Sequence, residues 1–193
     1  MATRIAFSTH WPDRMGDLAG KPTYFQEKIW SGLRYQNPKE KSVLYNYYRS
    51  ESRKLSGQDW PDEYGCFLLW QYPPKTTTIR SNYEYWKSKE GQLLQPFFWA
   101  GKPRRSKHVV FCPEVRLVSV LRINLDLYEK NIIITAEEAN DLYKKSFISL
   151  LNGKSVSDFT KDEGFDHPDH FWAWFERDFS GAYLELESVK GCQ

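Results

Sequence analysis

Cysteine is scarce. The 193 residues hold three, Cys66, Cys112 and Cys192, odd in number and far apart. With no C-x-x-C pair among them, neither a disulfide framework nor a zinc knuckle is expected, and a reducing cytoplasm suits the pattern. Histidine is equally sparse, and His108, His167 and His170 have no ligand-spaced partners, so no metal site and no cofactor are expected. No apolar run approaches a membrane span, and the opening MATRIAFST has no core of signal-peptide length. The expectation is a soluble cytoplasmic protein without a membrane partner. Charge of one sign is missing too: the net charge is +2, so any footprint for a polyanion must be local. Internal repeats and low-complexity tails are absent.

Aromatic residues are plentiful instead. Eight Trp, 12 Tyr and 12 Phe make up 17% of the chain, within a hydrophobic fraction of 40%. That composition excludes disorder and points to a packed globule. The aromatics can fill a core, or some can stack bases or cage a ligand. The length suits one substantial domain over residues 1–193, with residues 35–74 as an insertion too short to hold a core of its own.

Along the chain, RIAFST (4–9) alternates as a short strand. Pro22 suits the first turn of a helix in which Phe25, Ile29 and Leu33 recur at i, i+4 and i+8, ending near Gly32. Asn37-Pro38 starts a second helix with Val43, Leu44, Tyr47 and Tyr48 as its apolar stripe and Gly57 as its stop. After Pro73-Pro74 comes KTTTIR (75–80), a strand with polar teeth. Gly91-Gln92 turns into a strand from Leu94 to Trp99, and residues 108–125 read as strand broken or bent at Pro113. LDLYEKNIIIT resembles a hairpin around Glu129, Lys130 and Asn131. Thr135 and Glu138 form a capping box for a helix to about Leu151, burying Leu142, Phe147, Ile148 and Leu151, with Gly153 beyond it. A further helix starts at His167-Pro168 with Phe171, Trp172 and Phe175, and the run DEGFDHPDH reads as its capped start. The closing AYLELESV alternates Tyr183, Glu185 and Glu187 against Leu184 and Leu186 as a half-buried strand. Mixed order with antiparallel-looking strands indicates an α+β fold, a small curved sheet or barrel flanked by helices.

The order of these pieces resembles the ASCH domain of the PUA-like β-barrel superfamily. The helix of Phe25 and Ile29 closes at Gly32, KTTTIR follows, and DEGF (162–165) stands before an aromatic helix and the last strand. KTTTIR is similar to the Gly-x-Lys-Thr-x-Thr-x-Arg segment of small bacterial amidohydrolases that act on N(4)-acetylcytidine. WAGKPRRSK (99–107) resembles a segment of ASCH-like proteins of phage and Bacteroidetes type. The likeness spans about two-thirds of the chain. One departure stands out, since Pro73-Pro74 occupies the place of the glycine before the lysine.

The resemblance implies Lys75, Thr78 and Glu163 as catalytic residues, with Thr76 and Arg80 beside them. The chemistry is sound: a neighbouring base can activate a threonine hydroxyl, a carboxylate can shuttle a proton, and an arginine can hold an oxygen. Alternation puts Thr76, Thr78 and Arg80 on one face of the strand and Thr77 with Ile79 on the other. The plain alternative is an exposed edge strand, guarded by its charged ends. Lys102, Arg104, Arg105 and Lys107 beside Trp99 can track phosphates and stack a base, or simply solvate a loop. Tyr83, Tyr85 and Trp86 fit a core, or a cage for a modified base. Three functions stay open. The chain can bind RNA or a modified nucleoside or nucleotide as a reader or sequestering module. It can hydrolyse an acyl group from a modified cytidine. It can also dock a protein partner through the aromatic insertion.

Overall fold

A computed structural model describes residues 3–57, 69, 71–135 and 155–189. The expected Thr135–Glu138 capping box and the helix after it fall outside these residues, apart from Thr135, which ends a strand.

The fold is α+β. Among the described residues seven strands form one mixed sheet: β1 (Thr3–Ala6), β2 (Thr77–Arg80), β3 (Leu93–Trp99), β4 (His108–Val110), β5 (Val115–Asp126), β6 (Asn131–Thr135) and β7 (Phe179–Ser188). Hydrogen bonding orders them β1-β3-β5-β7-β2, with β4 on β3 and β6 on β5. The path runs from one end strand to the other and is not closed into a barrel. The helices are α1 (Phe25–Gly32), α2 (Pro38–Ser56), α3 (Tyr83–Lys87), α4 (Val156–Asp162) and α5 (Pro168–Trp174), besides a 3-10 turn at Asp13–Leu18. None of the described helices is long and apolar enough to cross a membrane. The chain separates into two compact units.

The first unit comprises residues 1–75, 92–116 and 187–193. β1 lies parallel to β3, and β3 turns back antiparallel into β4, pairing Trp99 with His108. Pro22 does not open α1 as expected; it bridges His10, and the helix begins at Phe25 after Tyr24 in the left-handed region. Phe25, Ile29 and Leu33 are buried as their spacing predicts. Gln26, Glu27 and Lys28 are buried as well, so the start of α1 is enclosed on every side rather than amphipathic. Trp30 is anchored by donating its indole N–H to the Phe111 carbonyl at 2.8 Å, with Tyr45 edge-on at 5.3 Å.

Asn37 caps α2 by accepting from the Lys39 amide, and Gly57 ends it with φ +71°, a left-handed turn that glycine adopts without strain. The buried stripe differs from the expected one. Val43 and Tyr47 are 68% and 58% exposed, while Tyr45 and Ser52 face inward. Leu44 and Tyr48 are half-buried, with Tyr48 5.9 Å from the Trp30 ring, so the buried face overlaps one edge of the expected stripe and leaves the other in solvent. Pro113 divides β4 from β5, as one of the two expected outcomes.

The second unit comprises residues 76–91 and 117–186. β5 and β6 form the expected hairpin, registering Asp126 with Asn131. β2 runs antiparallel to β7, setting Thr77 opposite Glu185, Thr78 opposite Leu184 and Ile79 opposite Tyr183. In β7, Ala182, Leu184 and Leu186 are buried and Glu185 is exposed. His167 opens α5 by accepting from the Asp169 amide. Phe159, Phe165, Phe171 and Trp174 interlock edge to face, joining α4 and α5. The short helices α3 and α4 were not expected. Ser155 and Asp158 form a full capping box for α4 and were its readable signal.

Candidate functional site

In the second unit the site is assembled by β2, β7 and the end of α4. The Ser155 cap fixes where α4 starts, and the Gly164 turn (φ +87°) fixes where it stops. Glu163 lies at that stop, its amide bonded to the Phe159 carbonyl, its side chain 3% exposed. A buried carboxylate needs donors. Thr77 supplies one, its hydroxyl donating to Glu163 Oε1 at 2.6 Å. The length is that of a charge-assisted bond.

The threonine on Glu163 is therefore Thr77, while Thr78, which the resemblance implied as catalytic, points to the other face of β2. The alternation of β2 is as expected, with Thr77 and Ile79 on one face and Thr78 and Arg80 on the other. Glu163 meets the first of these faces. The exposed edge strand is also corrected, because Thr77 and Thr78 are both buried; Thr76 is the exposed member.

Tyr183 completes the cluster and carried no sequence signal beyond strand alternation. Its ring stacks on Phe159 at 5.6 Å, and its phenol hydrogen-bonds with Thr77. Burial holds that phenol well above its ordinary pKa, the Glu163 carboxylate pushes the same way, and the bond to Thr77 opposes both. Arg80 is half-buried, its guanidinium donating to the Ile79 carbonyl at 2.8 Å. Burial lowers it to about 10, with the Glu163 charge acting in the opposite direction, so it is cationic at neutral pH. Chemically, the cluster is a hydroxyl donating to a carboxylate that can accept its proton, with a neutral phenol beside it.

Of the two readings of Tyr83, Tyr85 and Trp86, the core one fits two of the three rings. Tyr83 and Trp86 are buried, Arg122 covers the Tyr83 ring at 4.0 Å, and Tyr85 alone is exposed.

In the first unit, Lys75 is buried, its amide donating to the Lys28 carbonyl at 2.8 Å and its ammonium 5.3 Å from the Phe25 ring centroid. The basic residues sit in the loop between β3 and β4. Ala100 N–H donates to the Lys107 carbonyl, Gly101 N–H to Ser106 Oγ, and Ser106 Oγ to the Lys102 carbonyl. Arg104 takes φ +62° at the tip, a conformation uncommon outside glycine. This bracing leaves Lys102, Arg104, Arg105 and Lys107 all exposed. Trp99 is half-buried and packs edge-on against His108 at 4.2 Å.

Two residues that sequence reasoning missed join this hairpin. Arg4 Nη1 donates to His108 Nδ1 at 2.7 Å, and the His108 ring stacks on Phe97 at 4.1 Å. Arginine can only donate, so His108 Nδ1 is the acceptor. Arg4 lies in β1, more than a hundred positions from His108, and no local pattern linked the two.

Comparison with family models, with curated proteins and with solved structures gives no match. Among the described residues no group of three or more His, Cys, Asp or Glu side chains could hold a metal ion. Cys112 is buried, and burial pushes its thiol well above the ordinary range, which leaves it unreactive at neutral pH.

Proposed function

We propose that the protein binds RNA, or a modified nucleobase or nucleotide, in the manner of an ASCH-type, PUA-like domain spanning residues 1–193 with an insertion at 35–74. It acts as a reader or sequestering module. One observation carries this reading: a hydrogen-bonded hairpin loop holds four exposed cations, Lys102, Arg104, Arg105 and Lys107, next to the half-buried Trp99. Cations on a braced loop neutralise successive phosphates with little ordering cost, and an adjacent indole offers a stacking surface. The loop concentrates four cations in six residues, in a chain whose net charge is only +2. Titration of labelled single-stranded RNA at several salt concentrations tests it. Replacing Arg104 and Arg105 together by Ala lowers the salt slope by about 1.4, at roughly 0.7 per phosphate contact. An unchanged slope sinks the reading.

A second reading, hydrolysis of an acyl group from N(4)-acetylcytidine, is favoured by the 2.6 Å bond between Thr77 and Glu163. There Glu163 takes the proton from the Thr77 hydroxyl as it attacks the acyl carbon and hands it to the departing N4 amine of cytidine. Water then frees the acyl group from the Thr77 ester. Turnover that is lost in both Thr77→Val and Glu163→Gln supports this reading. An inert wild-type protein ends it.

A further inference from the structure

We infer that Gln26 reads the pairing edge of an unstacked, unpaired nucleobase, an inference that rests on the RNA-binding reading above. Gln26 occupies the first turn of α1 and is 2% exposed, yet among the described residues neither its Nε2 nor its Oε1 has a hydrogen-bond partner. Buried amides are rarely left in that state, because removal from water without replacement bonds is costly. Polar and charged residues near it in sequence, Thr23, Glu27 and Lys28, are buried as well. Tyr24 enters the helix in a left-handed conformation, and the Phe25 amide that follows donates to Thr23 Oγ1 at 3.4 Å.

The chemistry of the amide selects the ligand class. A carboxamide presents one donor beside one acceptor, so its full complement is an acceptor beside a donor. Phosphates and carboxylates bring only acceptors and would leave Oε1 unmet. The pairing edge of every nucleobase carries a donor next to an acceptor, and glutamine uses that bidentate geometry on bases. A group enclosed to this degree can receive a base only after it has left its stack and its partner, which makes single-stranded RNA the target.

The test uses the full chain and short single-stranded uridine, cytidine and adenosine oligomers. Matched oligomers carry 3-methyluridine, N4,N4-dimethylcytidine or N6,N6-dimethyladenosine, neutral bases whose pairing edge is blocked. Wild type binds at least one plain oligomer about tenfold tighter than its blocked counterpart. Gln26→Met binds both alike while keeping the salt slope, and it melts no lower than wild type because an unmet amide has gone. Gln26→Leu, which has neither donor nor acceptor, provides a second variant with the same expected loss of discrimination. Wild type indifferent to blocking on all three oligomers overturns the inference, and so does a Gln26→Met protein that still discriminates. A crystal of the complex with only an ordered water on the Gln26 amide overturns it too. Salt-dependent binding without discrimination refutes this inference alone, whereas no RNA binding at all refutes the RNA-binding reading with it.

Discussion

Thr77 donates its hydroxyl to Glu163 Oε1 at 2.6 Å, joining residues 86 positions apart in sequence. The bond links the start of an end strand to the stop of a short helix, and both side chains are buried. Thr77→Val keeps the shape of the side chain and removes the donor. It destabilises the protein by about 1–3 kcal/mol, the cost of leaving a buried acceptor short of a bond. Urea denaturation measures it. A Thr78→Val change that costs as much as Thr77→Val would remove the special role given to Thr77.

Tyr183 predicts an alkaline signature. Its folded pKa lies above the unfolded value near 10. Below that value both states hold the proton; above it the unfolded state loses the proton first, so stability falls as pH rises past about 10. Arg80, lowered to about 10 in the folded state, acts in the opposite direction over the same window. Comparing wild type with Tyr183→Phe isolates the phenol. The variant loses less stability between about pH 9 and 11. Equal losses in the two proteins would show that Tyr183 ionises freely when folded.

Gly181 is held by close approach rather than by an unusual backbone angle. A Cβ built there would lie 2.2 Å from the Arg80 carbonyl oxygen and 2.6 Å from the Phe179 ring. Backbone cannot yield as a side-chain tip can. Gly181→Ala therefore costs about 3 kcal/mol by separating β7 from β2. A melting temperature equal to wild type would refute the contact.

Ser155 acts on the site from the far end of α4. Its hydroxyl accepts from the Asp158 amide at 3.1 Å, and the Asp158 carboxylate accepts in return from Ser155. Ser155→Ala costs about 1 kcal/mol. It also speeds hydrogen exchange at the amides of Phe159 and Glu163, which bond to the Ser155 and Phe159 carbonyls. Exchange unchanged at Glu163 would mean that the cap does not position the carboxylate.

Local chemistry is what the sequence by itself determined. Period-two alternation marked β7 and the two faces of β2, Asn37-Pro38 and Gly57 marked α2, and Pro113 marked the break before β5. These signals depend on residues within a few positions of one another, where backbone sterics and short-range hydrogen bonds decide. Tertiary structure decided the rest. Alternation separates Thr77 from Thr78, but it cannot say which face Glu163 will meet. The side of α2 that is buried likewise depends on what packs against it, and Tyr45 on Trp30 won over Val43 and Tyr47. The meeting of Arg4 with His108 follows from β1 and β4 flanking β3, a pairing between segments far apart in the chain. Such contacts are chosen by the packing of the whole chain, so no single stretch of residues encodes them.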